Sequence, residues 1–133
     1  METLLHNRRQ RFSSLTFPSA LKALMQERRL SYRQLAYKTK LSAGYLNHLT
    51  KGTRPVPADP VIEVVAEALL VEPDFFVEYR LRQVAEVLGG APALTDQLYG
   101  ILLRDQPVPD DLGESLKHLH DAGAERRPAA VGF

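Results

Sequence analysis

Apolar residues along this 133-residue chain recur at intervals of three and four, and runs that alternate apolar and polar residues are absent. This spacing is typical of amphipathic helices and predicts an all-α chain. The first apolar stripe consists of Leu21, Leu24 and Met25, and Pro18 suits the first turn of a helix. We therefore predict a first helix over residues 17–29.

A serine three residues before a glutamine marks the start of the next helix. Ser31 and Gln34 have the spacing of a capping box, in which each side chain satisfies a backbone N–H of the first turn. Leu30 precedes the cap as a hydrophobic staple, and Leu35 points inward. The pattern predicts a second helix over residues 32–39.

A third short helix follows at once. Ser42 is its predicted cap, and Leu46 and Leu49 form its buried face. Gly52 supplies the left-handed conformation that ends a helix, so we predict helix over residues 43–51.

The rest of the chain predicts four more helices. The proline-rich stretch "TRPVPADP" is a loop, with Asp59 as cap and Pro60 as first residue of the core helix "VIEVVAEALL". A fifth helix is predicted to begin at Pro73, to include Phe76 and to end at Gly89-Gly90. The remaining predicted helices cover residues 93–104 and 110–121. We divide the chain into a basic N-terminal arm (1–15), a helical domain (16–88), C-terminal helices (89–123) and a disordered tail (124–133).

The net charge of +1 hides a strong asymmetry. Residues 1–58 carry eleven Lys or Arg against two acidic residues, a net charge of +9, whereas residues 59–133 carry six against fourteen, a net charge of −8. A basic half suggests a polyanionic partner, although attraction between the two halves would also explain the split.

Composition excludes several functional classes. The chain has no cysteine, so disulfides and thiolate chemistry are excluded, and it has no apolar run of signal-peptide or membrane-span length. His118 and His120 point apart on a helix and predict no metal site, while Asp110 and Asp111 suit a helix start better than an acid–base pair. We expect a cytoplasmic protein that is not an enzyme and needs no cofactor or metal.

The segment "LSYRQLAYKTKLSAGYLNHLTKG" has the organisation of a DNA-reading unit. The small residue Ala36 allows two helices to cross closely, and Leu35, Leu41, Leu46 and Leu49 lock them from beneath. The outer face of the helix after Ser42 is then left to project, and a helix fits a major groove about 12 Å wide.

The same segment resembles the helix-turn-helix domains of the phage-repressor/Cro type, also called xenobiotic-response-element-like. The family pattern "LSxxxLAxxxxLSxxYLxxLxxG" is matched from Leu30 to Gly52, and "VIEVVAEALLVEPDFF" is similar to the family's closing helices. The resemblance covers about 60 residues and implies a five-helix bundle that binds double-stranded DNA, here with additional C-terminal helices.

The chain departs from the family pattern in three places, at four positions. Tyr32 replaces a glutamine that contacts phosphate, and its phenol can still donate one hydrogen bond. Lys40 replaces a glycine in the turn, at a strain of about 1 to 2 kcal/mol if it is left-handed. Ala43 and Gly44 replace polar residues at the tip of the reading helix, where Ala43 offers a methyl group and Gly44 offers close approach.

The resemblance assigns the following contacts. Candidate base contacts are Ala43, Gly44, Tyr45, Asn47 and His48. Candidate phosphate contacts are Tyr32, Arg33, Lys38, Lys40, Ser42, Lys51, Thr53 and Arg54, and a possible minor-groove arm contains Arg8, Arg9 and Arg11. Alternatively, Asn47 and His48 are solvated, Tyr45 is half-buried against Tyr32 or Tyr37, and the arm is a disordered tail.

Repressors of this type read pseudo-palindromes as dimers. Candidate dimerisation residues are Phe75, Leu81, Leu88, Leu98, Ile101, Leu102, Leu116 and Leu119. Alternatively, these helices fold back on their own chain. We expect a homodimeric transcriptional regulator, a repressor rather than an activator; the alternative is an antitoxin or an adaptor that uses the same fold to bind protein. No effector site is evident, and a toxin partner stays unknown.

Overall fold

The structure is a computed structural model that describes residues 11–126, and over this range it is all α-helical without a strand. Its helices are α1 (Phe17–Arg28), α2 (Tyr32–Thr39), α3 (Ala43–Lys51), α4 (Asp59–Ala68), α5 (Val77–Gly89), α6 (Pro92–Leu103) and α7 (Leu112–Arg126), with a 3₁₀ turn, Pro73–Phe75, before α5. The predicted all-α fold, a helical bundle followed by further C-terminal helices, is confirmed.

The chain forms two compact units, one reaching residue 82 and the other beginning at residue 83, so the division falls inside α5. In the first unit α3 packs against α1 and α2, while α4 packs against α2 and the 3₁₀ turn. The side chains enclosed between these elements are Phe17, Ala20, Leu21, Leu24, Met25, Leu35, Leu46, Leu49, Ile62, Val65, Ala66, Leu69, Val71, Phe75 and Phe76. They include the apolar stripes predicted for the first four helices.

The predicted helix caps follow from local chemistry. Gln34 N–H donates to Ser31 Oγ at 3.1 Å, and Ser31 N–H donates to Gln34 Oε1 at 2.8 Å, which completes the capping box. Ser42 Oγ accepts from Tyr45 N–H at 3.0 Å. Gly52 ends α3 with φ at 73°.

Three helix ends differ from prediction. Asp59 is the first residue of α4 rather than its cap, because Ala58 occupies the cap position and the Asp59 carboxylate accepts from Arg82 instead. Phe76 lies outside the fifth helix: its ψ of 130° separates the 3₁₀ turn from α5, and its ring packs in the core. The last helix continues to Arg126, beyond the predicted start of the tail; residues 127–133 lie outside the described range.

Residues 11–15, the described end of the predicted N-terminal arm, pack against the rest of the first unit. The Arg11 guanidinium donates two hydrogen bonds to Glu27, at 2.7 and 3.0 Å, and Ser13 N–H donates to Phe75 O at 2.9 Å. Arg80 donates to Ser13 O and lies over the Phe12 ring. The hydrogen bonds from Arg11 hold the pKa of Glu27 below its usual range.

The second unit buries little. Within its described part only Leu94 and Gly100 are buried. Leu102, Leu103 and Val108 are at least 60% exposed, at 73%, 65% and 60%. An open, largely apolar groove lies along α6 and α7 between Leu94, Gln97, Ser115, His118, Leu119 and their small neighbours.

No helix of residues 11–126 has the length and apolar character needed to cross a membrane. In the same range no group of three His, Cys, Asp or Glu residues could hold a metal ion.

Candidate nucleic-acid interface

Helix α3 is anchored by one face and exposed on the other. Leu46 and Leu49 have exposures of 0% and 1% and belong to the core, whereas Gly44, His48 and Lys51 are exposed. Because residues three and four apart lie on the same face of a helix, the buried Leu46 and Leu49 fix which side of α3 a ligand can reach. The exposed side is the one predicted to contact DNA.

The turn before α3 is held by a buried threonine. Thr39 Oγ1 donates to Leu35 O at 2.8 Å and accepts from Leu41 N–H at 3.2 Å, so it satisfies a backbone group that the turn would otherwise leave unpaired. Lys40 adopts the left-handed conformation, with φ at 67°. Its ammonium lies 5.8 Å from the centre of the exposed Tyr37 ring.

Tyr32 ties α2 to α3. Its phenol oxygen lies 2.6 Å from Thr50 Oγ1, and Thr50 Oγ1 donates to Asn47 O at 2.9 Å. Because Thr50 has one proton and uses it on Asn47, the phenol proton goes to Thr50. In this arrangement the phenol proton is engaged by Thr50, and the phosphate contact of Tyr32 stays a prediction.

The predicted base-reading residues fall into two groups. Ala43, Tyr45 and Asn47 are half-buried, and Tyr45 packs against the core, whereas Gly44 and His48 are exposed. A Cβ atom added at Gly44 would contact no neighbouring residue's atom within 4 Å. The tip of α3 is therefore open, and its two smallest residues leave room for close approach.

A histidine and a threonine meet where α3 ends. His48 Nδ1 lies 2.7 Å from Thr53 Oγ1, which also lies 3.3 Å from His48 O. Both residues are exposed. The contact fixes the imidazole while leaving its Nε2 unbound.

The predicted phosphate contacts supply free positive charge. Arg33, Lys38, Lys40, Lys51 and Arg54 are all exposed, and across residues 11–126 none of the ion pairs involves them. Ser42 is also exposed, so its hydroxyl can donate while its oxygen caps α3. These groups can approach polyanionic phosphate without first breaking an ion pair.

Other arginines have structural tasks. Arg82 donates to the carbonyls of Pro57 and Val56, at 2.7 and 3.4 Å, and to Asp59, and thereby braces the loop after Arg54. Arg28 pairs with Glu27 and donates to Leu69 O. Arg82 and Arg28 thus stabilise the fold, whereas the cations around α3 belong to none of the ion pairs of residues 11–126.

Two sets of predicted site residues need correction or lie out of view. Phe75 is 5% exposed and packs edge-on against Phe76, so its side chain cannot serve the predicted dimer interface. Arg11 is held by Glu27 and is not free to enter a minor groove. Arg8 and Arg9 lie outside the described residues.

The other predicted dimerisation residues remain accessible to varying degrees. Leu81, Leu102 and Leu116 are exposed by 66%, 73% and 41%, and Leu88, Leu98, Ile101 and Leu119 are half-buried.

Sequence reasoning missed the two buried threonines and Arg82. The signal for Thr50 was its position beside Leu49 and four residues after Leu46, on the inward side of α3, where a polar residue needs a partner. Arg82 carried no local signal, because its acceptors lie 23 to 26 residues away.

The described geometry is that of a helix-turn-helix protein: two short helices joined by a tight turn, the second presented outward. Residues 19–74 match the family model of a helix-turn-helix domain. Residues 19–74 are therefore a helix-turn-helix domain, consistent with DNA-binding domains of the Cro/repressor type. Comparison with curated proteins and with solved structures gave no match.

Proposed function

We propose that the protein is a cytoplasmic, sequence-specific transcriptional regulator, a repressor that binds a pseudo-palindromic operator as a homodimer. The observation that carries the proposal is the combination at α3: one face anchored by Leu46 and Leu49, the other exposed and accompanied by unpaired cations. An outward helix with free positive charge around it suits the major groove and its phosphate walls.

Base reading in this proposal is concentrated away from the tip of α3. Ala43 contributes a methyl contact to thymine, and Gly44 contributes closeness. Asn47 can pair with adenine, His48 can donate to guanine or phosphate, and Tyr45 contacts the groove with the part of its ring that the core leaves accessible. DNA shape then carries part of the specificity, and each half-site is read weakly.

Phosphate anchoring comes from the free cations and from Ser42 at the helix start. Helix N-termini offer unpaired N–H groups to anions, and the N-terminus of α3 carries no acidic residue in its first turn. This anchoring sets the register of the helix without reading sequence.

The homodimer is supported by apolar surface that the chain leaves uncovered on α5, α6 and α7. Leu81, Leu102 and Leu116 are the most accessible of the predicted interface residues. Two reading helices related by a two-fold axis would contact two half-sites, and one half-site of a few base pairs cannot select against a genome.

In vitro selection from random duplexes with purified protein tests the proposal. We expect an enriched sequence with two-fold symmetry and a fixed half-site spacing. The binding constant for the selected duplex should fall steeply with salt, because several phosphate contacts release counterions. Absence of any enriched sequence, together with a flat salt response, would overturn the proposal.

Two substitutions distinguish a base contact from a phosphate contact. Asn47→Ala should weaken cognate binding and relax preference at one base pair, whereas Arg54→Ala should weaken cognate and random DNA alike. Binding titrations of each variant with cognate and random duplex measure both losses. Equal losses on both duplexes for Asn47→Ala would remove its base-reading role.

The second candidate function is that of an antitoxin or adaptor, whose second unit holds a partner protein. The observation that favours it is the scarcity of buried side chains in that unit. Purified protein that binds no duplex but forms a stable heteromer with a neighbouring gene product would favour this function over the regulator.

A further inference from the structure

The end of α3 brings together two side chains that are five residues apart. Gly52, with φ at 73°, allows its N–H to donate to Leu49 O at 3.3 Å and the Thr53 N–H to donate to His48 O at 3.1 Å. This pair of bonds is a Schellman motif, which folds the chain back over the last turn of the helix. The side chain of Thr53 consequently meets that of His48.

The distances restrict how the two side chains share protons. Thr53 Oγ1 lies 2.7 Å from His48 Nδ1 and 3.3 Å from His48 O. The carbonyl already accepts from the Thr53 amide, and the contact to the ring is the shorter one. Two proton arrangements satisfy these distances. In one, the hydroxyl donates to Nδ1 and the imidazole proton is on Nε2; in the other, Nδ1–H donates to Thr53 Oγ1 and the hydroxyl donates to His48 O. The first arrangement places the hydroxyl proton on the shorter contact, and it is the one proposed and tested below.

We propose that Thr53 is a positioning residue that fixes His48 as an Nε2–H donor facing the DNA. This inference rests on the proposed function and deepens it. With Nδ1 occupied, the ring cannot present that nitrogen to a base. The proton on Nε2 matches purine N7 and guanine O6, which are acceptors in the major groove.

The proposal changes the role predicted for Thr53. As a phosphate contact, Thr53 would add affinity equally for every duplex. As a positioning residue it acts through His48, so its effect appears only where the imidazole reads a base. The two roles give different results in the same experiment.

The first part of the test uses the free protein. Nitrogen-15 NMR of the imidazole should show a bare Nδ1 and a protonated Nε2 at a pH where the ring is neutral. Thr53→Val keeps the shape but removes the hydroxyl, and should give a mixture of tautomers. Thr53→Ser restores the hydroxyl and should restore the single tautomer. A wild-type mixture, or a proton found on Nδ1, would overturn the proposal.

The second part measures binding to the selected duplex and to random duplex in a double-mutant cycle. Thr53→Val should weaken cognate binding about three- to tenfold, the range for one hydrogen bond, and leave random binding nearly unchanged. In the His48→Ala background the same substitution should have no effect. A loss that is equal on both duplexes and persists without His48 would make Thr53 a phosphate contact and overturn the proposal.

The two hypotheses fail in distinguishable ways. If the wild-type protein binds no duplex, the proposed function and this inference are both overturned, whatever the tautomer. If it binds a selected duplex but the cycle is additive, only the positioning role is overturned.

Discussion

The two compact units differ in how many apolar side chains they bury. The first unit encloses Leu46 and Leu49 completely, whereas the second leaves Leu102 and Leu103 more than half exposed, at 73% and 65%. A domain gains stability from apolar area removed from water, so the first unit is equipped to fold by itself. Exposed leucines in the second unit lie on the surface that the proposed homodimer would cover.

The largest expected effect tests the core of the first unit. Leu46→Ala should lower its free energy of unfolding by about 3 kcal/mol, because a fully enclosed side chain leaves a cavity. Leu102→Ala is the matched control and should cost little in dilute protein. Urea unfolding followed by circular dichroism measures both, and equal losses would remove the contrast between the units.

A charge placed on the second unit tests the proposed dimer. Leu102→Asp should raise the dimer dissociation constant at least about tenfold, since a carboxylate would be buried at the interface without a partner. Leu70→Asp is the control: Leu70 is 67% exposed in the first unit and is assigned no partner. Sedimentation equilibrium measures the dimer dissociation constant of each variant. An equal increase for both would argue against a dimer through α6.

Helical glycines allow a paired test of the smaller effects. Gly44→Ala should stabilise the first unit by about 0.5 to 1 kcal/mol, because alanine loses less backbone freedom on folding and its methyl group meets no atom within 4 Å. The same substitution should weaken DNA binding if close approach matters. Gly113→Ala occupies the second position of α7 with equal space around it, and it should leave DNA binding unchanged. Unchanged binding for Gly44→Ala would show that the groove does not use the missing side chain.

The smallest effect concerns the ion pair between Arg11 and Glu27. Arg11 lowers the pKa of Glu27, so the stability from this pair is present above the unfolded-state pKa, about 4.3, and is lost as pH falls through the lower folded-state value. In Glu27→Gln the melting temperature of the first unit should depend less on pH in this acid range. Glu67→Gln, at an exposed carboxylate outside the described ion pairs, should keep the wild-type pH profile. Parallel profiles for Glu27→Gln and wild type would mean that the pair is not formed in solution.

Local chemistry made the reading unit predictable. The side chains of Ser31, Gln34 and Ser42 satisfy backbone N–H groups at helix starts, and Gly52 ends a helix. Each acts on neighbours within a few residues, so these roles can be predicted from spacing alone. Leucines at helical spacing, Leu46 and Leu49 among them, identified the inward face for the same reason. The family model over residues 19–74 agrees with that reading.

Contacts between distant residues could not be predicted in this way. Arg11 has the same chemistry as Arg8, yet its ion pair with Glu27 depends on how residues 11–15 lie across the first unit. Phe75 and Phe76 were indistinguishable as neighbouring apolar residues until the break before α5 directed both rings inward. Tyr32 gained its partner Thr50 only when α2 and α3 packed together.

By itself, the sequence determined an all-α chain, the limits of the reading helix and its resemblance to helix-turn-helix domains, because helix periodicity and caps are local interactions. Only the tertiary structure decided which cations stay outside the ion pairs of residues 11–126 and which partner the Tyr32 hydroxyl has. Those properties depend on single hydrogen bonds between atoms that only the packed fold brings within 3 Å or so of each other.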